Sequence, residues 1–142
     1  MTIARVIEGR TLAIVTCDSR TSVREAVALL AERRIGAIPV FEAGKLAGIF
    51  SERDVIYQLQ AQGPAVLDRK LHEVMTSPAV TVEPGTAVLT ALALMTRRRI
   101  RHLPVLEAGE MVGLVSIGDL VKYRMERIES EAEAMRAYIQ TA

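Results

Sequence analysis

The chain has 142 residues, half of them apolar and a quarter charged, with a net charge of +1. That length suits one compact body with a sizeable core, and the balanced charge gives no reason to expect a general nucleic-acid or membrane surface. One cysteine excludes an internal disulfide and a cysteine-based zinc cluster, and with no signal-like or membrane-spanning apolar run the expectation is a soluble cytoplasmic protein.

Residues 1–11 are read as an N-terminal segment. The apolar stretch 12–17 predicts a short strand, and the place of Cys17 in it predicts a buried structural thiol. Val23, Ala26, Val27 and Leu30 then fall on one helical face, opened by Thr21 or Ser22 as cap and ending near Ile35-Gly36. Residues 38–41 and 46–50 read as two strands, and the Glu42-Ala-Gly-Lys45 turn makes them a hairpin. Ser51 opens a second helix that runs to about Ala61. Gln62-Gly63-Pro64 breaks the chain, and 67–75 is predicted as a short connecting helix. A strand at 79–82, a helix at 87–98, a hairpin of 103–106 with 111–115, and a helix from Ser116 follow.

The second set is the first written again 65 positions later without a gap. Val15-Thr16 falls on Val80-Thr81, Arg33-Arg34-Ile35 on Arg98-Arg99-Ile100, and Gly48-x-x-Ser51-x-x-Asp54 on Gly113-x-x-Ser116-x-x-Asp119. Each unit is strand-helix-strand-strand-helix, and units this short pack on one another because neither buries its apolar face alone. The expected fold is therefore α/β (α+β), with repeats at 12–61 and 78–124, a linker at 62–77 and an extension at 125–142. That extension continues the last helix to about Ile139, and Val121, Met125, Ile128, Ala132, Met135 and Ile139 form a heptad-like stripe. The stripe suits either the protein's own core or a second subunit.

Ser51-x-x-Asp54 and Ser116-x-x-Asp119 each place a hydroxyl at a helix N-cap with a carboxylate three residues on. A capping box explains the spacing, and so does ribose recognition, because a carboxylate has two acceptors for adjacent hydroxyls. Phosphate needs cations: Arg53 lies inside the first motif, and Arg101 and His102 stand where a helix gives way to a strand. No P-loop, dinucleotide-binding turn, zinc-protease helix or nucleophile elbow is present, so catalysis is not expected.

Two such units, each with G-x-x-S-x-x-D at its last helix, resemble the cystathionine β-synthase (CBS) domain pair, or Bateman module. Ser51-Glu-Arg-Asp54, Arg101-His-Leu-Pro-Val105 and Ser116-Ile-Gly-Asp-Leu-Val-Lys122 resemble strings of stand-alone bacterial CBS-pair proteins. The resemblance implies pseudo-two-fold symmetry, and an adenine nucleotide ligand of the AMP, ATP or NAD class, with S-adenosylmethionine also open, in clefts between the repeats. It gives ribose to Asp54, Asp119, Ser51 and Ser116, and phosphate to Arg53, Arg101 and His102. It places the base at Val15, Thr16, Ile35, Ala37 and Pro39, and in the other copy at Val80, Thr81, Ile100, Leu103 and Pro104. Gly118 answers Arg53 and Gly36-Ala37 answers Arg101-His102, so unequal clefts are expected, with the Ser51, Arg53 and Asp54 cleft favoured for the tighter charged ligand. The implied role is a regulatory sensor acting as a homodimer or through a protein effector, with no metal, nucleic acid or membrane partner. The competing reading is an assembly module with vestigial clefts.

Overall fold

The structure, a computed structural model, describes residues 1–10 and 13–141. Its elements are α1 (Ile3–Ile7), β1 (Cys17–Asp18), α2 (Val23–Arg33), β2 (Ala37–Glu42), β3 (Lys45–Ser51) and α3 (Glu52–Gln62), followed by α4 (Leu71–Val74), α5 (Val88–Arg98), β4 (His102–Glu107), β5 (Glu110–Ser116) and α6 (Ile117–Thr141). The two repeats are near copies, and each builds its own core.

In the first repeat Val23, Ala26 and Leu30 are the buried face of α2, and they pack on Ile38 and Val40 of β2 and Phe50 of β3. Ser22 caps α2 by accepting from the Glu25 amide at 3.2 Å, which satisfies one of the orphan donors of the first turn. In the second repeat Val88, Ala91 and Met95 of α5 bury the same face against Leu103, Val105 and Val115. Both hairpins turn on Ala-Gly, with φ of 51° and 79° at Ala43-Gly44 and 51° and 81° at Ala108-Gly109. Positive φ at both central positions matches the right-handed twist of the strands; glycine adopts it freely, while each alanine bears a modest steric cost.

The first strand of each repeat is shorter than the sequence suggests. Cys17 and Asp18 pair in parallel with Val40 and Phe41, and in the second repeat the predicted strand 79–82 is reduced to one parallel bridge, Val82 to Val105. Proline is the cause. Val82 donates to the Pro104 carbonyl at 3.1 Å and accepts from Leu106 at 2.9 Å, so the next rung needs a Pro104 N–H that does not exist. Pro39 holds the same place in the first repeat and ends that ladder before Val15. Leu12, the first residue of the predicted strand, lies outside the described residues.

The predicted connecting helix at 67–75 is two pieces, a 3-10 turn at Gly63–Asp68 and α4. They are separated because Arg69 and Lys70 are extended and pair with the start of α2: the Arg69 carbonyl accepts from Val23 at 2.8 Å, and Leu71 donates to Thr21 at 2.9 Å. The N-terminal segment, in which no element was predicted, contains α1, and it treats the second repeat in the same way. The Met1 carbonyl accepts from Val88 at 3.2 Å, and Ile3 donates to Thr86 at 2.9 Å. Leu71 and Val74 complete the first core, whereas Ile3 completes the second. The segment before each repeat thus closes the opposite one.

Helix α6 runs as the stripe suggests, but Leu120 is its one buried residue. Val121, Met125, Ile128, Met135 and Ile139 are all exposed. No helix among the described residues is long and apolar enough to cross a membrane.

Candidate functional site

The repeats meet where β3 approaches β5; near the start of α3, Arg53 reaches the Arg99 carbonyl of the second repeat, and at the start of α6, Ser116 and Asp119 share a cavity with Val15 and Ile35 of the first. Each helix is started by its own repeat: Glu52 donates to the Gly36 carbonyl at 3.0 Å, and Ile117 to the Arg101 carbonyl at 2.8 Å. The segments 35–37 and 100–102 are thereby fixed beside the Ser-x-x-Asp motifs.

Both motifs form capping pairs. Ser51 Oγ accepts from the Asp54 amide at 3.3 Å while Asp54 Oδ2 accepts from the Ser51 amide at 2.9 Å. Ser116 Oγ accepts from the Asp119 amide at 3.1 Å, and Asp119 Oδ2 accepts from the Ser116 amide at 2.8 Å. The third partner differs. Asp54 Oδ1 accepts from Thr76 Oγ1 at 3.1 Å, while Asp119 Oδ2 is ion-paired to Arg10 Nη2 at 3.2 Å.

A cavity of about 360 Å³ opens between the repeats at Asp119. Its walls are Ala13, Ile14, Val15, Ile35 and Ala37 from the first repeat and His102, Leu114 and Ser116 from the second, with Arg34 contributing a cation. A larger space of about 840 Å³ adjoins it along α1, β5 and α6, and shares Ile14, Ile35, Leu114 and Asp119 with it. These volumes are in the range of small-molecule sites.

His102 sits at the centre of the junction. A Cβ on Gly36 would lie 2.8 Å from His102 Cε1 and 3.0 Å from Glu52 Oε1, so the absence of a side chain at 36 makes room for the imidazole of the other repeat. Burial lowers the His102 pKa below its ordinary 6.5; Asp119 and Glu52 oppose the shift, and Arg101 adds to it. Burial, with the charge of Glu25, pushes the Cys17 thiol up, and a hydrogen bond with Thr21 opposes this; the thiol is free and buried in the first core.

Of the residues singled out in the sequence, Val15, Ile35, Ala37, His102, Ser116 and Asp119 converge on the Asp119 cavity. Ser51, Arg53 and Asp54, the cleft favoured from sequence, do not line it, and Arg53 instead donates across the junction to the Arg99 carbonyl. Arg101 is exposed outside it. Leu103, proposed for the base pocket, is fully buried in the second core and presents no surface to a ligand. Pro39 and Pro104 are buried within the strands, Val80 and Ile100 pack on the second core, Thr16 is exposed, and Thr81 is half-buried away from the cavity walls. Sequence reasoning missed Ile14, Arg34, Leu114 and Arg10. Ile14 was legible as the neighbour of Val15, but Arg10 carries no local signal. Among the described residues no cluster of three or more His, Cys, Asp or Glu side chains is arranged to hold a metal.

Two pseudo-symmetric βαββα units that share a cleft, each closed by the other's leading segment, define a tandem-repeat module. The chain belongs to the CBS domain family, whose model matches residues 10–61 and 71–126. The CBS domain-containing protein YhcV of Bacillus subtilis is 32% identical over 92% of this chain and 91% of its own length. CBSX3, a mitochondrial CBS domain-containing protein of Arabidopsis thaliana, is 38% identical over 87% of this chain, which spans 63% of that protein. Among solved structures, the CBS-domain containing protein ATU1752 of Agrobacterium tumefaciens superposes with a TM-score of 0.82 at 34% identity, covering 87% of this chain and 92% of that one. PAE2072 of Pyrobaculum aerophilum, solved in complex with AMP, gives 0.73 at 26% identity over 84% and 89%. The matched residues are a CBS pair and not a catalytic domain.

Proposed function

We propose that the chain binds an adenine nucleotide of the AMP class in the Asp119 cleft and reports its occupancy to a second subunit or partner. The observation that carries this is the convergence of three complementary features in one cavity. Val15, Ile35 and Ala37 offer apolar walls to a neutral heterocycle, while Asp119, at the N-terminus of α6, offers carboxylate oxygens to a ribose diol. The third feature is a backbone acceptor. Continued from Cys17, the β1 register directs the Val15 carbonyl at the nitrogen of Pro39, which has no hydrogen to give, so the oxygen suits an exocyclic amine such as that of adenine. The AMP complex of the Pyrobaculum relative supports the ligand class.

Arg34 and His102 border the same cavity and suit the phosphate. The cleft of Ser51, Arg53 and Asp54, with Arg101, is the pseudo-symmetric second position. Ligand bridging both repeats favours one relative orientation, and a partner responds only if it distinguishes that orientation. A second copy of the chain is the proposed partner, because Ile56 of α3 and Val121, at the same step of α6, are exposed at 64% and 43% and leave related apolar faces open. The exposed stripe beyond residue 125 favours, as a second reading, a module whose main work is assembly.

Calorimetric titration with AMP, ATP, NAD and S-adenosylmethionine tests the proposal. Micromolar, saturable binding without product is expected, and steady product release removes the non-catalytic reading.

A further inference from the structure

We infer that Arg10 is a latch on the Asp119 cleft, which leaves the carboxylate for the ligand's phosphate when a nucleotide enters and so selects phosphorylated nucleosides over bare ones. This rests on the nucleotide reading of that cleft and adds to it a residue outside the Ser-x-x-Asp motif.

Helix α1 is anchored on the second repeat by Ile3, which is fully buried, and by Ile7, which lies against Gly113. Gly9, with φ of +75°, then turns the chain, and Arg10 lines the adjoining space that shares Asp119 with the cavity. One guanidinium nitrogen is 3.2 Å from Asp119 Oδ2, and the other donates to the Leu114 carbonyl at 2.9 Å. Both side chains of the ion pair remain more than a third exposed, so the contact can open without stranding a buried charge. Among the described residues the pseudo-symmetric carboxylate has no such ion-pair partner: after α4, Asp54 meets the neutral hydroxyl of Thr76 at 3.1 Å.

A ribose diol donates best to both oxygens of one carboxylate, and Asp119 Oδ2 already accepts from the Ser116 amide and is ion-paired to Arg10. A nucleoside entering the cleft therefore competes with the guanidinium. Bare adenosine displaces it and leaves it with water and the Leu114 carbonyl. A nucleotide displaces it and offers a phosphate, to which a planar guanidinium donates two hydrogen bonds at once. The displaced guanidinium regains an anionic partner in the second exchange and not in the first. The same side chain opposes adenosine and favours AMP.

The test is the affinity of the full chain for adenosine and for AMP, by calorimetry, in wild type, Arg10→Ala and Arg10→Gln, with apo melting curves to confirm folding. Removing a half-exposed ion pair should tighten adenosine about threefold. Removing the charge-assisted bonds to phosphate should weaken AMP roughly tenfold. The opposite signs are the signature. Affinities that move together, or do not move, overturn the latch and leave the nucleotide reading standing. If wild type and variants bind neither ligand, the nucleotide reading fails and the latch with it.

Discussion

Replacing Asp119 by Asn separates helix capping from ligand recognition, because the two roles use different properties of the carboxylate. As a cap, Asp119 accepts one amide bond from Ser116 at 2.8 Å, and the Asn carbonyl can accept the same bond. What the apo protein loses is a negative charge at the start of α6, about 0.3–1 kcal/mol, and the ion pair to Arg10, about 0.2–1 kcal/mol at this exposure. The sum is about 1 kcal/mol, or roughly 3 °C in melting temperature for a chain of this size. As a ribose ligand, Asn offers one acceptor oxygen where Asp offers two, and turns an amide NH2 donor toward the other hydroxyl. Losing a charge-assisted hydrogen bond costs about 1.5–3 kcal/mol, a roughly ten- to hundredfold weakening. Asp54→Asn lowers apo stability by a similar amount, through Ser51 and Thr76, and leaves the Asp119 cleft intact. Melting curves with and without AMP, together with calorimetry, read both quantities. An Asp119→Asn protein that melts several degrees lower yet binds AMP with wild-type affinity would show that the motif is a helix cap alone.

Gly36→Ala places a Cβ 2.8 Å from the far edge of the His102 ring, which can swing outward; we expect a loss of about 1 kcal/mol and a His102 pKa nearer 6.5, followed by histidine NMR, and an unchanged titration contradicts the packing described. His102 binds its proton more weakly folded than unfolded, so its contribution to stability is complete above pH 6.5 and declines as pH falls through the depressed folded value. His102→Asn should therefore flatten the fall in melting temperature on acidification from about pH 7.5 to 5.5, and an unaltered slope assigns that fall to other groups. Gly48→Ala meets the backbone oxygen of Thr76 at 2.6 Å, which cannot swing away, so chemical denaturation should show a loss of about 3 kcal/mol; a loss below that of Gly36→Ala refutes the contact. Deleting the residues after Arg127 removes Ile128, Met135 and Ile139 from the exposed stripe while sparing the cavity, so light scattering should show weaker association with AMP binding kept. A monomeric full-length chain rules out that role for the stripe.

The repeats were legible because their signals are local. Ser51-x-x-Asp54 caps α3 where the spacing placed the helix, and the Ala-Gly turns close hairpins at the expected residues. The length of α6 followed from the absence of Gly and Pro after Gly118. Signals that depend on a distant partner were lost. Helix α1 has five residues, too few for a period, and Ile3-x-x-Val6-Ile7 echoes Leu71-x-x-Val74-Met75 at 68 positions, not at the 65 that align the repeats. The early ends of the first strands were written in Pro39 and Pro104, but their effect needs the parallel register to be known. Leu103 shows the limit of reading a base pocket from aliphatic residues, since core and cavity wall use the same side chains. Arg10 meets Leu114 and Asp119 only because the N-terminal segment closes the opposite repeat.

The most direct measurement is the melting temperature of the full chain with and without AMP at about 100 times its dissociation constant. Binding to the folded state alone adds about 2.7 kcal/mol at that ratio, and we expect a rise of roughly 8 °C, much reduced in Asp119→Asn and retained in Asp54→Asn. A melting curve that AMP leaves unmoved, with ATP, NAD and S-adenosylmethionine equally silent, contradicts the account of this chain as a nucleotide-binding module.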